Sequence, residues 1–213
     1  MSALARKSRR SSPKQDRAQA TYDLLLNVAG ELLAEVGIER ISTNMICARA
    51  GVTPPALYRY FKDKYAVLEA LGRRLMARQN DVMAQWIARH ADRGIEALLD
   101  NAGELLRDTA AVTHPEPGAA WILRALHATP RLAHVRLESH SYVTDRLVEA
   151  CARHLPDVDR EALWQELRLR VELGFAVSEM LYEETRVSAD TTFRLMARLL
   201  RTPLLTTGAA QTR

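Results

Sequence analysis

Tyr58, Arg59, Tyr60, Lys62 and Lys64 crowd phenol hydroxyls and cationic groups into seven residues. With Phe61, this stretch holds three of the chain's 12 aromatic side chains, from 3 Trp, 6 Tyr and 3 Phe. Hydroxyl and ammonium groups beside an exposed helix suit phosphate oxygens, a contact that fixes register without reading base sequence. Phe61 stands one helical turn after Leu57, so both point inward, and Arg59 and Tyr60 then face out. The elements that must hold these groups are short. One is expected to end at Ala50, the next to open at Thr53, with Ala50-Gly51-Val52-Thr53 between them. Gly51 suits the positive φ of a tight turn, Ser42 can cap the N–H of Met45, and Thr53 can cap the second segment. Ile46, Ala50, Val52, Leu57 and Phe61 would face a small core. This spacing fits a helix-turn-helix, and it also fits a plain helical hairpin.

Enzyme-like sets are missing from the rest. His127, His134 and His140 do not share one helical face, and Cys151 and His154, one turn apart, have no third ligand. Glu183 and Glu184 read as solvated charge. No Ser/His/Asp set or glycine-rich phosphate loop occurs, so neither an enzyme nor a bound cofactor or metal is expected.

The chain has 213 residues, 47% hydrophobic and 26% charged, a globular balance with no apolar run long enough for a membrane helix. Two cysteines cannot make a disulfide framework. The basic start, Arg6 to Arg10, is followed by Ser11, Ser12, Pro13 and Lys14 where a signal peptide needs its apolar core, so a cytoplasmic protein is expected. Through Tyr65 there are 11 Lys plus Arg against 6 Asp plus Glu; the remainder has 19 against 20. All the excess positive charge lies in the first third, which points to a polyanion partner there and another task for the rest.

Apolar residues recur at helical spacing throughout, giving an all-α class with about nine helices. The first runs over 16–36 on the stripe Tyr22, Leu25, Ala29, Leu32 and Val36, and stops at Gly37. Others are expected over 42–50, 53–61, 63 to about 86, 94–111, 119–128, 131–155, 159–186 and 188–200. The domains are a basic flexible tail (1–15), a three-helix helix-turn-helix unit (16–62), a larger helical unit (63–206) and a flexible tail (207–213).

The run Ile46-Cys47-Ala48-Arg49-Ala50-Gly51-Val52-Thr53-Pro54-Pro55-Ala56-Leu57-Tyr58-Arg59-Tyr60-Phe61, with Lys64 and Leu68, resembles the DNA-binding domain of the TetR family of bacterial transcriptional regulators. The resemblance spans about Asp16 to Leu68. It implies a homodimer that binds double-stranded operator DNA with the 53–61 helix in the major groove. Thr43, Tyr58, Tyr60 and Lys64 match backbone-contacting positions; Thr53, Pro54, Pro55, Ala56 and Arg59 match those nearest the bases. Cys47, Pro55, Ala56 and Tyr60 depart from the family pattern, where alanine, glycine, threonine and histidine are usual. Two prolines leave the helix tip poor in donors; Pro and Ala suit thymine methyls, and a bidentate Arg59 suits guanine. The basic tail is expected to act by long-range attraction.

The resemblance further implies a small-molecule pocket among the central helices, for which Trp86, Trp121, Tyr142, Phe175, Met180 and Tyr182 are candidates. An apolar or aromatic effector is expected. Leu163, Leu167, Val171, Gly174, Ser178 and Leu181 form a stripe whose small residues would admit another helix. Leu167, Val171, Gly174, Ser178 and Leu181, with Phe193, Met196 and Leu200 of the last helix, are therefore expected at the dimer interface. The long helix from about Lys64 is the one covalent bridge between the two parts, so effector binding is expected to move it and release the DNA. The alternative is a helical interaction protein of the same fold that no longer binds DNA.

Overall fold

A computed structural model describes residues 13–202 and Leu204, and these residues fold as ten α-helices without a strand. They are α1 (Pro13–Arg40), α2 (Thr43–Ala50), α3 (Pro54–Tyr58), α4 (Lys64–His90), α5 (Ile95–Asp100), α6 (Ala102–Thr113), α7 (Ala119–Ala128), α8 (Ala133–Ala152), α9 (Arg160–Glu183) and α10 (Ala189–Leu200). Residues 13–15, expected in the basic tail, are helical. Residues 1–12 of that tail and all of the 207–213 tail lie outside the described residues.

Local chemistry sets most boundaries. Gly37, at φ 73°, ends the regular part of α1 where the apolar stripe runs out. Ser42 caps α2 through Met45 N–H at 3.3 Å, Asp63 caps α4 through Ala66 N–H at 2.8 Å, and Asp159 caps α9 through Glu161 and Ala162. The 94–111 segment, expected as one helix, is two. Asn101 breaks it, its amide donating to Ala97 O at 2.7 Å, while its carbonyl accepts from Trp86 Nε1 at 3.0 Å as well as from the Glu104 and Leu105 N–H groups of α6 at 3.0 and 3.3 Å. A buried indole N–H thus stabilises the break.

One apolar cluster joins α1, α2, α3 and α4 to α7 and the start of α8, through Leu25, Leu33, Ile46, Leu57, Leu71 and Leu126 among others. A second joins the far half of α4 to α5, α8 and α9, and a third joins α6 to α9 and α10. The covalent bridge along α4 is therefore not the only link between the two parts, because α1 packs directly on α7. Gly118, at φ 74°, lets the α6–α7 loop approach α1 so closely that an added Cβ would stand 2.8 Å from the Gly30 carbonyl. In that loop Glu116 is buried and pairs with Arg74 at 2.5 Å and with Arg78, both on α4. Arg74 also donates to Asn27 of α1 at 2.7 Å. One carboxylate thus ties loop, α4 and α1 together.

The expected dimer stripe needs correction. Leu167 and Val171 are buried within the subunit, Gly174, Ser178 and Leu200 wall an internal cavity, and Phe193 and Met196 are buried against Leu106. Leu181 packs on that same cluster. Helix α9 carries a second apolar stripe, Leu169, Leu173, Ala176 and Met180 at spacings of 4, 3 and 4, and all four are exposed. On α10, Leu195 and Leu199 are exposed, the latter at 70%. A helix apolar on both sides can satisfy only one of them inside its own subunit.

Facing α8 and α9, Glu172 accepts from Arg136 at 2.8 Å, Arg168 at 2.6 Å and His140 Nδ1 at 3.0 Å. Burial, with Arg168 and Arg136 close by, outweighs Glu172 and pushes His140 down to about 4. Burial would raise Glu172, yet these hydrogen bonds and charges hold it at about 2. An unfolded histidine titrates near 6.5, so the unfolded chain binds the extra proton first as pH falls. Stability should therefore drop from pH 6.5 to 5 by about 2 kcal/mol through His140 alone. Urea melts across that range check this. His140→Gln, which keeps a donor for Glu172, should flatten the slope, and an unchanged slope would remove His140 as its cause.

Candidate functional site

The turn between α2 and α3 forms as its residues dictate. Gly51 sits at φ 67°, ψ 29°, the left-handed region that glycine enters without a Cβ penalty. Ile46 and Leu57 are fully buried and Phe61 nearly so, which pins both short helices to α1. Tyr22 stacks on Phe61 with centroids 5.1 Å apart.

Two hydroxyls meet on the outer side of this unit. Thr43 Oγ1 at the start of α2 and Tyr58 Oη at the end of α3 lie 3.3 Å apart, with Tyr58 half-exposed. The first turn of α2 adds backbone N–H groups and the positive end of its dipole, so the pair sits where an anion is favoured. Thr53, Pro54, Pro55 and Arg59 are exposed around the tip of α3, and Ala56 is half-buried.

Three expectations change in detail. Thr53 does not cap α3 with its side chain: the Ala56 and Leu57 N–H groups donate to its backbone carbonyl at 2.9 and 3.2 Å. Two prolines fill the first helical positions, so no other N–H is left in that turn for the hydroxyl. The helix itself is shorter, ending at Tyr58 rather than Phe61. Tyr60, expected to face out, is half-buried, 6.2 Å from the Tyr22 ring, and presents only part of its side chain. Lys64 Nζ donates to the Ile38 carbonyl at 3.2 Å, which fixes it beside the end of α1. Nearby, Arg49 forks onto Glu35 at 2.9 and 2.8 Å, a hydrogen bond that holds Glu35 below the usual carboxylate range.

Deeper in the larger unit, a cavity of about 130 Å³ lies between α4, α5, α6, α8, α9 and the end of α10. Of the candidates, Trp86 and Phe175 stand on its wall. A second space, of about 410 Å³, adjoins it towards α10, with Phe175 and Tyr182 on its wall. The other three candidates belong to neither wall. Trp121 packs on Gly37 with Arg124 over its ring at 4.9 Å, and Tyr142 and Met180 point to solvent. Large rings at helical spacing serve packing or surface equally well, so ring type alone could not place them. Gln79, Thr109, Phe175 and Ser178 border both spaces; a sequence reading based on rings passed over the three polar ones. The thiol of Cys151 is pushed up to about 11 by burial, and His154 Nε2 lies 2.6 Å from the Ala91 carbonyl; among the described residues no group of three His, Cys, Asp or Glu side chains could hold a metal ion.

Residues 25–71 match the family model for "Bacterial regulatory proteins, tetR family". The N-terminal domain is thus similar to that of the TetR family. Over 54 residues it is 41% identical to the tetracycline repressor protein class C of Escherichia coli, a match covering 25% of this chain and 25% of that protein. It is 28% identical over 109 residues to the nucleoid occlusion factor SlmA of Glaesserella parasuis, 51% of this chain and 54% of that one. These alignments thus span between a quarter and about half of the relatives' length. In fold, the TetR resemblance extends further. A TetR-family transcriptional regulator from Streptomyces coelicolor, 19% identical, superposes with a TM-score of 0.59 over 85% of this chain and 95% of its own. Among the described residues no helix is long and apolar enough to cross a membrane.

Proposed function

We propose that this protein is a transcriptional regulator that binds operator DNA as a cytoplasmic homodimer and acts as a repressor released by a small apolar or aromatic effector. The observation that carries the reading is the Thr43–Tyr58 hydroxyl pair, 3.3 Å apart on the open face of a TetR-family domain. It offers two neutral groups to one phosphate at the mouth of the groove that α3 enters. Arg59, exposed at the C-terminal end of α3, is the side chain with the reach and the paired donors to read guanine.

Dimerisation is assigned to the outer stripe of α9, Leu169, Leu173, Ala176 and Met180, with Leu195 and Leu199 of α10. Pairing by a twofold axis would set two α3 helices about 34–36 Å apart, one turn of duplex. The effector enters the 130 Å³ cavity, where α6 supplies Thr109 to the wall and then leads into the loop that carries Glu116. A shift of α6 acts on the Glu116 pairs with Arg74 and Arg78, and through them on α1 and α4, which carry the DNA-binding unit. Effector and DNA then favour different arrangements of one two-state body, and a coupling of about 1–3 kcal/mol suffices for release.

Selection of duplexes from a random pool tests the reading. The expected product is an inverted repeat, whereas recovery of unrelated sequences at equal affinity would point to the fold without the function. On the selected site, Arg59→Ala should cost about 1–3 kcal/mol at one base step and little at the others. Uniform loss over all single-base variants would make Arg59 a phosphate contact instead.

A further inference from the structure

We infer that the effector is a compact, uncharged molecule of single-ring size whose polar end donates a hydrogen bond, a phenol or comparable alcohol, to the carboxamide oxygen of Gln79. This rests on the reading of the core cavity as the effector site and adds the chemistry of its occupant.

The polarity of the wall follows from a chain of hydrogen bonds. Thr113 Oγ1 gives its one hydrogen to the Thr109 carbonyl at 2.7 Å. It can therefore only accept from Gln79, whose Nε2 lies 2.8 Å away. That fixes the amide: nitrogen towards Thr113, Oε1 away from it. Gln79 is 5% exposed, and its Oε1 is buried without a partner among the described residues. A buried acceptor left unpaired is costly, so a group that donates to it gains more than it would in water.

Ser178 stands on the same partition between the two spaces, and its hydroxyl donates to the Gly174 carbonyl at 2.9 Å, which leaves lone pairs only. Gln79 Oε1 and Ser178 both accept there, while Thr109, the third polar residue of the partition, has a hydroxyl that can turn either way. A carboxylate or a carbonyl facing Gln79 Oε1 would set lone pair against lone pair. The charged residue on the first cavity's wall among the described residues, Arg170, is held by Glu166 and by the carbonyls of Leu200 and Thr202. The rest of that wall is dominated by apolar side chains such as Met83, Leu98, Leu106 and Val143. Its volume of about 130 Å³ is close to the roughly 150 Å³ of apolar cavities that admit benzene. One ring fits, with its hydroxyl at the Gln79–Ser178 partition.

Three probes of similar size separate the possibilities: p-cresol, p-xylene and 4-methylbenzaldehyde, titrated calorimetrically into the full chain and into Gln79→Met. In the unaltered protein p-cresol should bind about tenfold more tightly than the aldehyde, which only accepts. In Gln79→Met the ratio of p-cresol to p-xylene affinity should fall about tenfold, with p-xylene bound at least as well as before. An aldehyde that matches p-cresol in the unaltered protein, or an unchanged ratio in the variant, overturns the donor rule while leaving the cavity an effector site. If none of the three binds the unaltered chain, the cavity reading fails with it.

Discussion

Leu169→Glu combined with Leu199→Glu is expected to turn the protein into a folded monomer that binds its selected duplex at least a hundredfold more weakly. Both side chains are exposed, at 61% and 70%, so a carboxylate there costs the isolated subunit almost nothing. In a paired interface the same carboxylates would be desolvated against apolar partners, a cost the isolated subunit avoids. A monomer has one α3 and meets one half-site, so the second half-site no longer contributes through effective concentration. Sedimentation and the same titration read both consequences. By contrast, Leu167→Glu should unfold the chain, because Leu167 lies inside the subunit. A dimer that survives the outer changes would place the interface elsewhere.

Glu116→Ala should cost about 3–4 kcal/mol of stability, because removing one partner of a buried ion pair strands the other. The value sits low in the usual range since Arg78 reaches solvent and Arg74 does so in part. Arg74 then keeps Asn27 but loses its charge partner. The separating measurement is the effector response. If Glu116 carries the signal, the variant's remaining affinity for DNA should no longer change when a cavity ligand is added, even though the ligand still binds. Retained release with lowered stability would make Glu116 a structural tie only.

The reasons some features were legible in sequence, and others were not, are physical. Ser42, Gly51, Asp63 and Asp159 act on N–H groups or dihedrals within three residues, and each takes the place its type predicts. Thr53 breaks that rule because its own carbonyl takes the N–H its hydroxyl would have capped. The apolar stripe of α9 was visible, but the helix has two such stripes, and periodicity cannot say which one the subunit buries. Asn101 breaks a helix through its own amide on Ala97 and through a carbonyl shared with Trp86, 15 residues away, a contact that no local spacing announces. Glu116 lies in a Pro-Glu-Pro-Gly run whose types spell only a turn, and its role depends on two arginines more than 35 residues earlier. Gln79 and Thr113 are 34 residues apart, and only their contact turns an ordinary glutamine into an oriented acceptor.

Binding of the selected inverted repeat as a function of KCl tests the DNA-binding reading most directly. If Lys62 and Lys64 of both subunits each neutralise one phosphate, log affinity should fall with log salt at a slope of about −3.6 or steeper. Thr43→Val with Tyr58→Phe should lower the affinity at every salt concentration while leaving that slope unchanged, because neither hydroxyl is charged. A flat salt profile, or an affinity indifferent to both hydroxyls, would contradict a phosphate-anchored α3 in the groove.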